Sequence, residues 1–249
     1  MHMDLFDDLP LWISREDAPP LSDLDVLLDW YGLYDEEHRK FWREVILEQF
    51  RFRPRRPQGF LTGGDVIRLG SLTVDVIATP GHTPGHLAFF FREPAVLFLG
   101  DYDLTRFGPW YGDAFSSIED TIASLARLKK IPARVLLAGH ETGVFAAPPN
   151  ELWEQYEKII YEREGKLLNA LNQPKTLEEI ASLWLIYGRP REPLAFFEFG
   201  ERALIKKHLE NLQRREMVRL ENGRYVKIPD DFSKFLQAHT CGGGQADPM

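Results

Sequence analysis

Three strand-length apolar stretches in this chain end alike: IATPGH at residues 77–82, LFLGD at 97–101 and LLAGH at 136–140. Each runs into a glycine followed by a histidine or an aspartate. Short apolar runs bounded by turn residues read as buried strands, and polar groups at strand ends are held by a rigid support. Upstream of the first, Leu72, Val74 and Val76 alternate with Thr73, Asp75 and Ile77, a strand signature that Pro80 and Gly81 end. LAFFF, residues 87–91, is a further strand. Between Ser116 and Lys130 the period becomes helical, with Ile118, Ile122, Leu125 and Leu128 on one face and Ser116 with Glu119 as a capping box. The order strand, strand, strand, helix, strand predicts a layered α/β domain.

Around this core the chain changes character. Residues 21–50 carry Leu24, Leu27, Leu28, Phe41, Ile46 and Phe50 at helical spacing, interrupted at Gly32. RFRPRRP, residues 51–57, reads as a solvated linker held extended by Pro54 and Pro57, or as an arm for an anionic substrate. Beyond Pro148 and Pro149 a charged amphipathic helix begins a second unit. Thr176 and Glu179 form a capping box, and a helix from about 201 to 216 turns Leu204, Ile205, Leu209 and Leu212 inward. Asn222-Gly223 between two alternating runs predicts a hairpin. Three helices and a hairpin give a winged-helix plan. The expected domains are 1–149, 150–230 and a disordered tail, 231–249.

The formal net charge of -8 weighs against a broad nucleic-acid surface. The acidic start MHMDLFDDLPLW is unlike a basic signal peptide, no apolar run has the length of a membrane span, and the lone Cys241 suits a reducing compartment. A cytoplasmic protein without membrane partners is expected.

His82, Asp101 and His140 therefore stand at three strand ends. Two imidazoles and a carboxylate are the donor types of zinc, iron or manganese sites. TPGHTPGH, a hydrophobic strand ending in Gly-Asp, a Ser-capped helix and a strand ending in Gly-His resemble the second half of the metallo-β-lactamase superfamily. The resemblance implies an αββα sandwich, here N-terminally truncated, with an appended C-terminal winged helix. It also implies that His82 ligates one metal, His140 a second, and Asp101 bridges them as the catalytic carboxylate. Two divalent ions are implied, zinc first, with iron or manganese as alternatives. His86 is expected to support the site by hydrogen bonding. Arg106, Trp110 and Tyr111, in TRFGPWYG, are the expected contacts to a small-molecule substrate.

The chain departs from that family in one motif: it contains no HxHxDH run. His2 and Asp4 mimic its interior, but Leu5 stands where the last histidine belongs. One histidine per metal and a shared aspartate are fewer than the three protein ligands of a catalytic zinc. Glu141, after His140, is a candidate substitute ligand. LFDDLPLWIS aligns with the strand that follows the missing motif, so the sheet is expected to expose pairing edges.

Three functions stay open at this point. One is a metal-dependent hydrolase of an ester, thioester or phosphodiester, weak or inactive as this chain stands. The second is a nucleic-acid protein using Arg202, Lys206, Lys207, Arg214, Arg215, Arg219, Arg224 and Lys227. The third is a noncatalytic interaction or homodimer module, with Trp184, Tyr187, Phe196, Phe197 and Phe199 mostly in its core.

Overall fold

The β-branched and aromatic runs form strands where they were expected, and the rest of the chain adds shorter ones. A computed structural model describes residues 6, 8–33, 35–141, 143–146 and 150–229. Strand β1 (Trp12–Ser14) precedes helices α1 (Ala18–Ser22), α2 (Leu24–Trp30) and α3 (Glu36–Glu44), the last continued by a π-helical turn, Val45–Gln49. Strand β2 (Gly59–Leu61) pairs in parallel with β1 as a separate two-stranded sheet. The Arg/Pro segment that leads to β2 is more than a solvated linker. Phe52 is buried within it, and Arg55 donates to the carbonyl of Leu9.

The main sheet contains β3 (Val66–Leu69), β4 (Leu72–Ala78), β5 (Leu87–Phe91), β6 (Val96–Phe98), β7 (Val135–Leu137) and β8 (Val144–Ala146), in that spatial order. All neighbours are antiparallel except β6 and β7. A parallel pair needs a crossover connection, and α4 (Ile118–Leu128) lies within it. Because β4 is antiparallel to β5 and β5 to β6, strands β4, β6 and β7 all point the same way. Their C-terminal ends share one edge of the sheet.

One sheet face buries Ala88, Leu97, Leu99 and Leu136 against Leu125 and Leu128 of α4, with Tyr102, Leu104, Trp153 and Tyr156 closing the cluster. The cap of α4 differs from expectation by one residue. Ser117, with an extended backbone, accepts from the Asp120 N–H, while Ser116 turns inward. Strands β3 and β8 are the outer strands of the sheet, and Val66, Leu69 and Val144 are exposed on them.

Helix α5 (Asn150–Ala170) is shared by two compact units, 1–163 and 164–249, so the division falls inside the helix rather than at 149. The second unit contains the end of α5, α6 (Leu177–Ala181), α7 (Leu194–Arg214) and the antiparallel hairpin β9 (Val218–Glu221) and β10 (Arg224–Lys227). Leu167, Leu168, Leu171, Ile180, Ile205, Leu209 and Leu212 form its core. The capping box on α6 is present, Thr176 and Glu179 each accepting from the other's backbone. Asn222 and Gly223 turn the hairpin with φ of 48° and 76°, the left-handed pair that such a tight turn requires.

Two expectations for this unit are corrected. Helix α7 begins at Leu194, because LAFFEF follows Pro193 directly as helix, so Phe196, Phe197 and Phe199 lie on a helix rather than a loop. None of the five aromatics is fully buried, and Phe196 is exposed, with Arg191 lying over the rings of Tyr187 and Phe197. Residues 230–249, including Cys241, lie outside the described residues.

Candidate metal centre

The shared strand edge brings His82, Asp101 and His140 together. Asp101 lies between the two histidines. His82 Nε2 is 3.0 Å from Asp101 Oδ2, and His140 Nε2 is 3.1 Å from Asp101 Oδ1. Strand pairing continues beneath them: the Leu99 N–H donates to Leu137 O and the Gly139 N–H to Gly100 O. The loops carrying Asp101 and His140 are thus tied at their base.

His82 is held on three sides. Its Nδ1–H donates to the carbonyl of Trp110 at 3.1 Å, which leaves Nε2 for Asp101. Ser116 Oγ donates to the His82 carbonyl at 2.6 Å. Trp110 is fixed in turn by its indole N–H, which donates to Asp113 Oδ1. Gly81, just before His82, has φ of 136°, and a Cβ there would meet Thr121 of α4 at 2.4 Å. Only glycine allows the turn to approach the helix this closely.

His86 acts on the backbone of Asp101. Its Nε2 accepts the Asp101 N–H at 3.0 Å, so its proton is on Nδ1, facing Thr79 Oγ1 at 2.8 Å and Thr79 O at 3.2 Å. The supporting part expected for His86 is consistent with this geometry. Gly100 follows from it: its φ is 61°, and a Cβ there would lie 2.5 Å from His86 Nε2.

Electrostatics separate the histidines. Burial, with the charge of His82 beside it, brings the pKa of His86 down to about 4, so His86 is neutral at pH 7. Burial also works against protonating His82, but the hydrogen bond and charge of Asp101, with the charge of Asp113, raise it above the ordinary imidazole value. Burial would raise Asp101, yet the His82 hydrogen bond and the charges of the three histidines hold its carboxyl at about 2. The centre is therefore a carboxylate that favours a proton, or another cation, on His82.

The donor chemistry suits a borderline metal, which would displace that proton. The number of donors does not suit a complete catalytic site. Each imidazole meets a different carboxylate oxygen, and among the described residues no three His, Cys, Asp or Glu side chains converge on one point. His2 and Asp4 lie outside the described residues. Glu141 is exposed at φ of 55°, a conformation that glycine adopts without strain.

The substrate-contact expectations divide. Arg106 is exposed and Trp110 half-buried, but Tyr111 is fully buried, its hydroxyl accepting from Arg163 Nη1 at 2.9 Å. Tyr111 is thereby corrected from substrate contact to loop anchor. Arg163, itself buried, also donates to the carbonyls of Pro109 and Phe107. Sequence reading missed Arg163 and Ser116, whose contacts cross 34 to 56 positions, and Asp113, which fixes Trp110 three residues away. It missed Asp17 as well, whose carboxylate accepts from Thr83 Oγ1 at 2.5 Å and from the Gly85 N–H at 2.8 Å.

Comparison with known proteins places this chain in a family. The model of the metallo-beta-lactamase superfamily matches residues 12–140. A hydroxyacylglutathione hydrolase of Hyphomonas neptunium is 34% identical over 113 residues, covering 42% of this chain and 43% of that protein. The lactamase-like protein nscB of Trichophyton equinum is 28% identical over 224 residues, covering 76% of this chain and 62% of that protein. The crystal structure of the metallo-beta-lactamase family protein TTHA1429 from Thermus thermophilus superimposes with a TM-score of 0.64 at 27% identity, covering 88% of this chain and 72% of that one. The chain spans less than half the length of the hydroxyacylglutathione hydrolase it matches. With the family model covering more than half of its residues, the chain belongs to the metallo-beta-lactamase superfamily.

Proposed function

We propose that this chain is the carboxylate-bridging part of a metal-dependent hydrolase that cleaves an acyl ester or thioester. The observation that carries the reading is the carboxylate of Asp101 standing between His82 Nε2 and His140 Nε2. In this reading His82, Asp101 and His140 would hold divalent metal, zinc first, which would supply a Lewis acid and a hydroxide nucleophile for acyl cleavage. Hydroxyacylglutathione, named for several relatives, is the first substrate to try, because its acyl–sulfur bond belongs to this class. Arg106 lies on the loop after Asp101 and is the proposed contact for an anionic part of it.

The domain plan of the proposal is an incomplete αββα sandwich followed by a winged helix, supported by the order of three helices and a hairpin in the second unit. A cytoplasmic place of action would suit the single cysteine. A nucleic-acid role draws no support from the basic residues. Arg202, Arg215, Arg219 and Arg224 pair with Glu178, Glu164, Glu221 and Glu179, and Lys206 and Lys207 share Glu210.

The test is the protein isolated from its own source, weighed intact, assayed for bound zinc and offered hydroxyacylglutathione. The expected result is bound zinc and thioester hydrolysis, both lost in Asp101→Asn. A natural protein with neither metal nor hydrolysis overturns the reading.

A further inference from the structure

The turn that carries His82 and His86 is held by a residue from a different part of the fold. Its ends are closed by its own backbone, the Thr79 N–H donating to His86 O, and its first half by the Gly81 N–H donating to Thr83 O. Between the histidines stand Thr83, Pro84 and Gly85, and Pro84 has no N–H to offer. The Thr83 hydroxyl and the Gly85 N–H both donate to Asp17, one to each carboxylate oxygen. Asp17 is fixed from its other side, its N–H donating to Oγ of the buried Ser14 at the end of β1. The fit is close: a Cβ at Gly85 would lie 2.1 Å from Ser14 Oγ and 2.8 Å from Asp17 Cγ.

We propose that Asp17 is a positioning residue for the metal centre, clamping the 83–85 segment so that His82 and His86 reach Asp101 together. The clamp grips the residue directly after His82 and the residue directly before His86. It thereby sets the separation of the two rings, whose centroids are 5.8 Å apart. On that separation depend two contacts to one residue: His82 Nε2 to the Asp101 carboxylate and His86 Nε2 to the Asp101 N–H. A partly buried carboxylate is a costly acceptor unless donors offset it, and here the donors are the turn itself. The turn after β4 is thus tied to the end of β1 and the residues that follow it. The inference rests on reading His82, Asp101 and His140 as metal donors.

The experiment compares the 249-residue chain with Asp17→Ala, Asp17→Asn and Thr83→Val. Folding is followed by circular dichroism, imidazole tautomers and the Asp101 amide by nitrogen-15 NMR, and zinc affinity by calorimetry. In Asp17→Ala the single Nδ1–H tautomer of His86 is expected to give way to an averaged one, with the Asp101 amide signal shifted. Zinc affinity should fall about tenfold or more, as for other residues that orient ligands. Asp17→Asn keeps an acceptor for the Gly85 N–H and should recover most of both signals. A folded Asp17→Ala with unchanged ring and Asp101 amide signals overturns the proposal. Should Asp17→Ala not fold, Thr83→Val decides: an altered His86 tautomer supports the clamp and an unaltered one refutes it. If the unmodified chain takes up no zinc, the metal reading of these donors fails in this chain, while the tautomer signals still decide the role of Asp17.

Discussion

Gly100 and Glu141 stand in the same left-handed region of backbone space, with φ of 61° and 55°, and only one of them is glycine. At Gly100 the requirement is double, because a Cβ would also press on His86 Nε2 at 2.5 Å. Gly100→Ala should destabilise the fold by about 2 kcal/mol, the usual cost of a strained backbone plus a displaced neighbour. It should also break the His86 bond to the Asp101 N–H. Urea unfolding measures the first effect, and an unshifted midpoint would contradict it. At Glu141 the argument runs the other way. Glu141→Gly should stabilise by about 1 kcal/mol, since the residue is exposed and its left-handed backbone is costly for any side chain. A lower urea midpoint for that variant would mean that the Glu141 carboxylate makes a contact that outweighs the strain. The two substitutions change one backbone requirement in opposite directions, one violating it and one satisfying it.

At the scale of elements, the second unit places a buried carboxylate at the centre of its helices. Glu164 on α5 accepts from Asn211 Nδ2 at 2.7 Å and Arg215 Nη1 at 2.8 Å, both from α7 or its end, with His208 Nδ1 at 3.8 Å. Burial would raise its pKa, but the His208, Arg215 and Asn211 interactions bring it below the ordinary glutamate value. A depressed folded pKa means that its contribution is present above the unfolded value of about 4.3 and is lost as pH falls through the folded pKa. Glu164→Gln should therefore cost about 2 kcal/mol at pH 7 and progressively less below about pH 4. Urea midpoints of both proteins at several pH values check this, and a gap independent of pH would remove the charge from the account. Such a pair joins helices far apart in sequence, so no spacing rule could announce it. By contrast, β4, α4, the α6 capping box and the Asn222-Gly223 turn are all legible, because alternation, helical period and turn chemistry are local. The start of α7 is hard to read for the same reason: LAFFEF is aromatic enough for a loop or strand until its neighbours are known. The three strand-end residues are legible as a set only because glycine punctuates each strand. Ser116, Trp110 O and Asp17 act through contacts 34, 28 and 66 or more positions away, which no local pattern encodes.

For the whole molecule, the six-stranded sheet leaves its outer strands open among the described residues. Strands β3 and β8 each have one hydrogen-bonded neighbour, and they present Leu69, Val66 and Val144, each half or more exposed. Natural sheets blunt such edges with charge, proline or a covering element, because unpaired N–H and C=O groups beside apolar side chains recruit strands from other molecules. The chain carries Arg68 in β3 as its one charged residue there, and β8, VFA, has none. Self-association through these edges is therefore expected at high concentration. Placing lysines at Leu69 and Val144 should suppress it while leaving the fold intact, since surface substitutions away from packed features change stability by no more than about 0.5 kcal/mol. Sedimentation velocity over a concentration series reads the association, and urea unfolding reads the fold. Reduced association at an unchanged midpoint is the expected result. Equal association in the double variant would place the contact elsewhere, with the exposed Leu194 and Phe196 of α7 as the next positions to change.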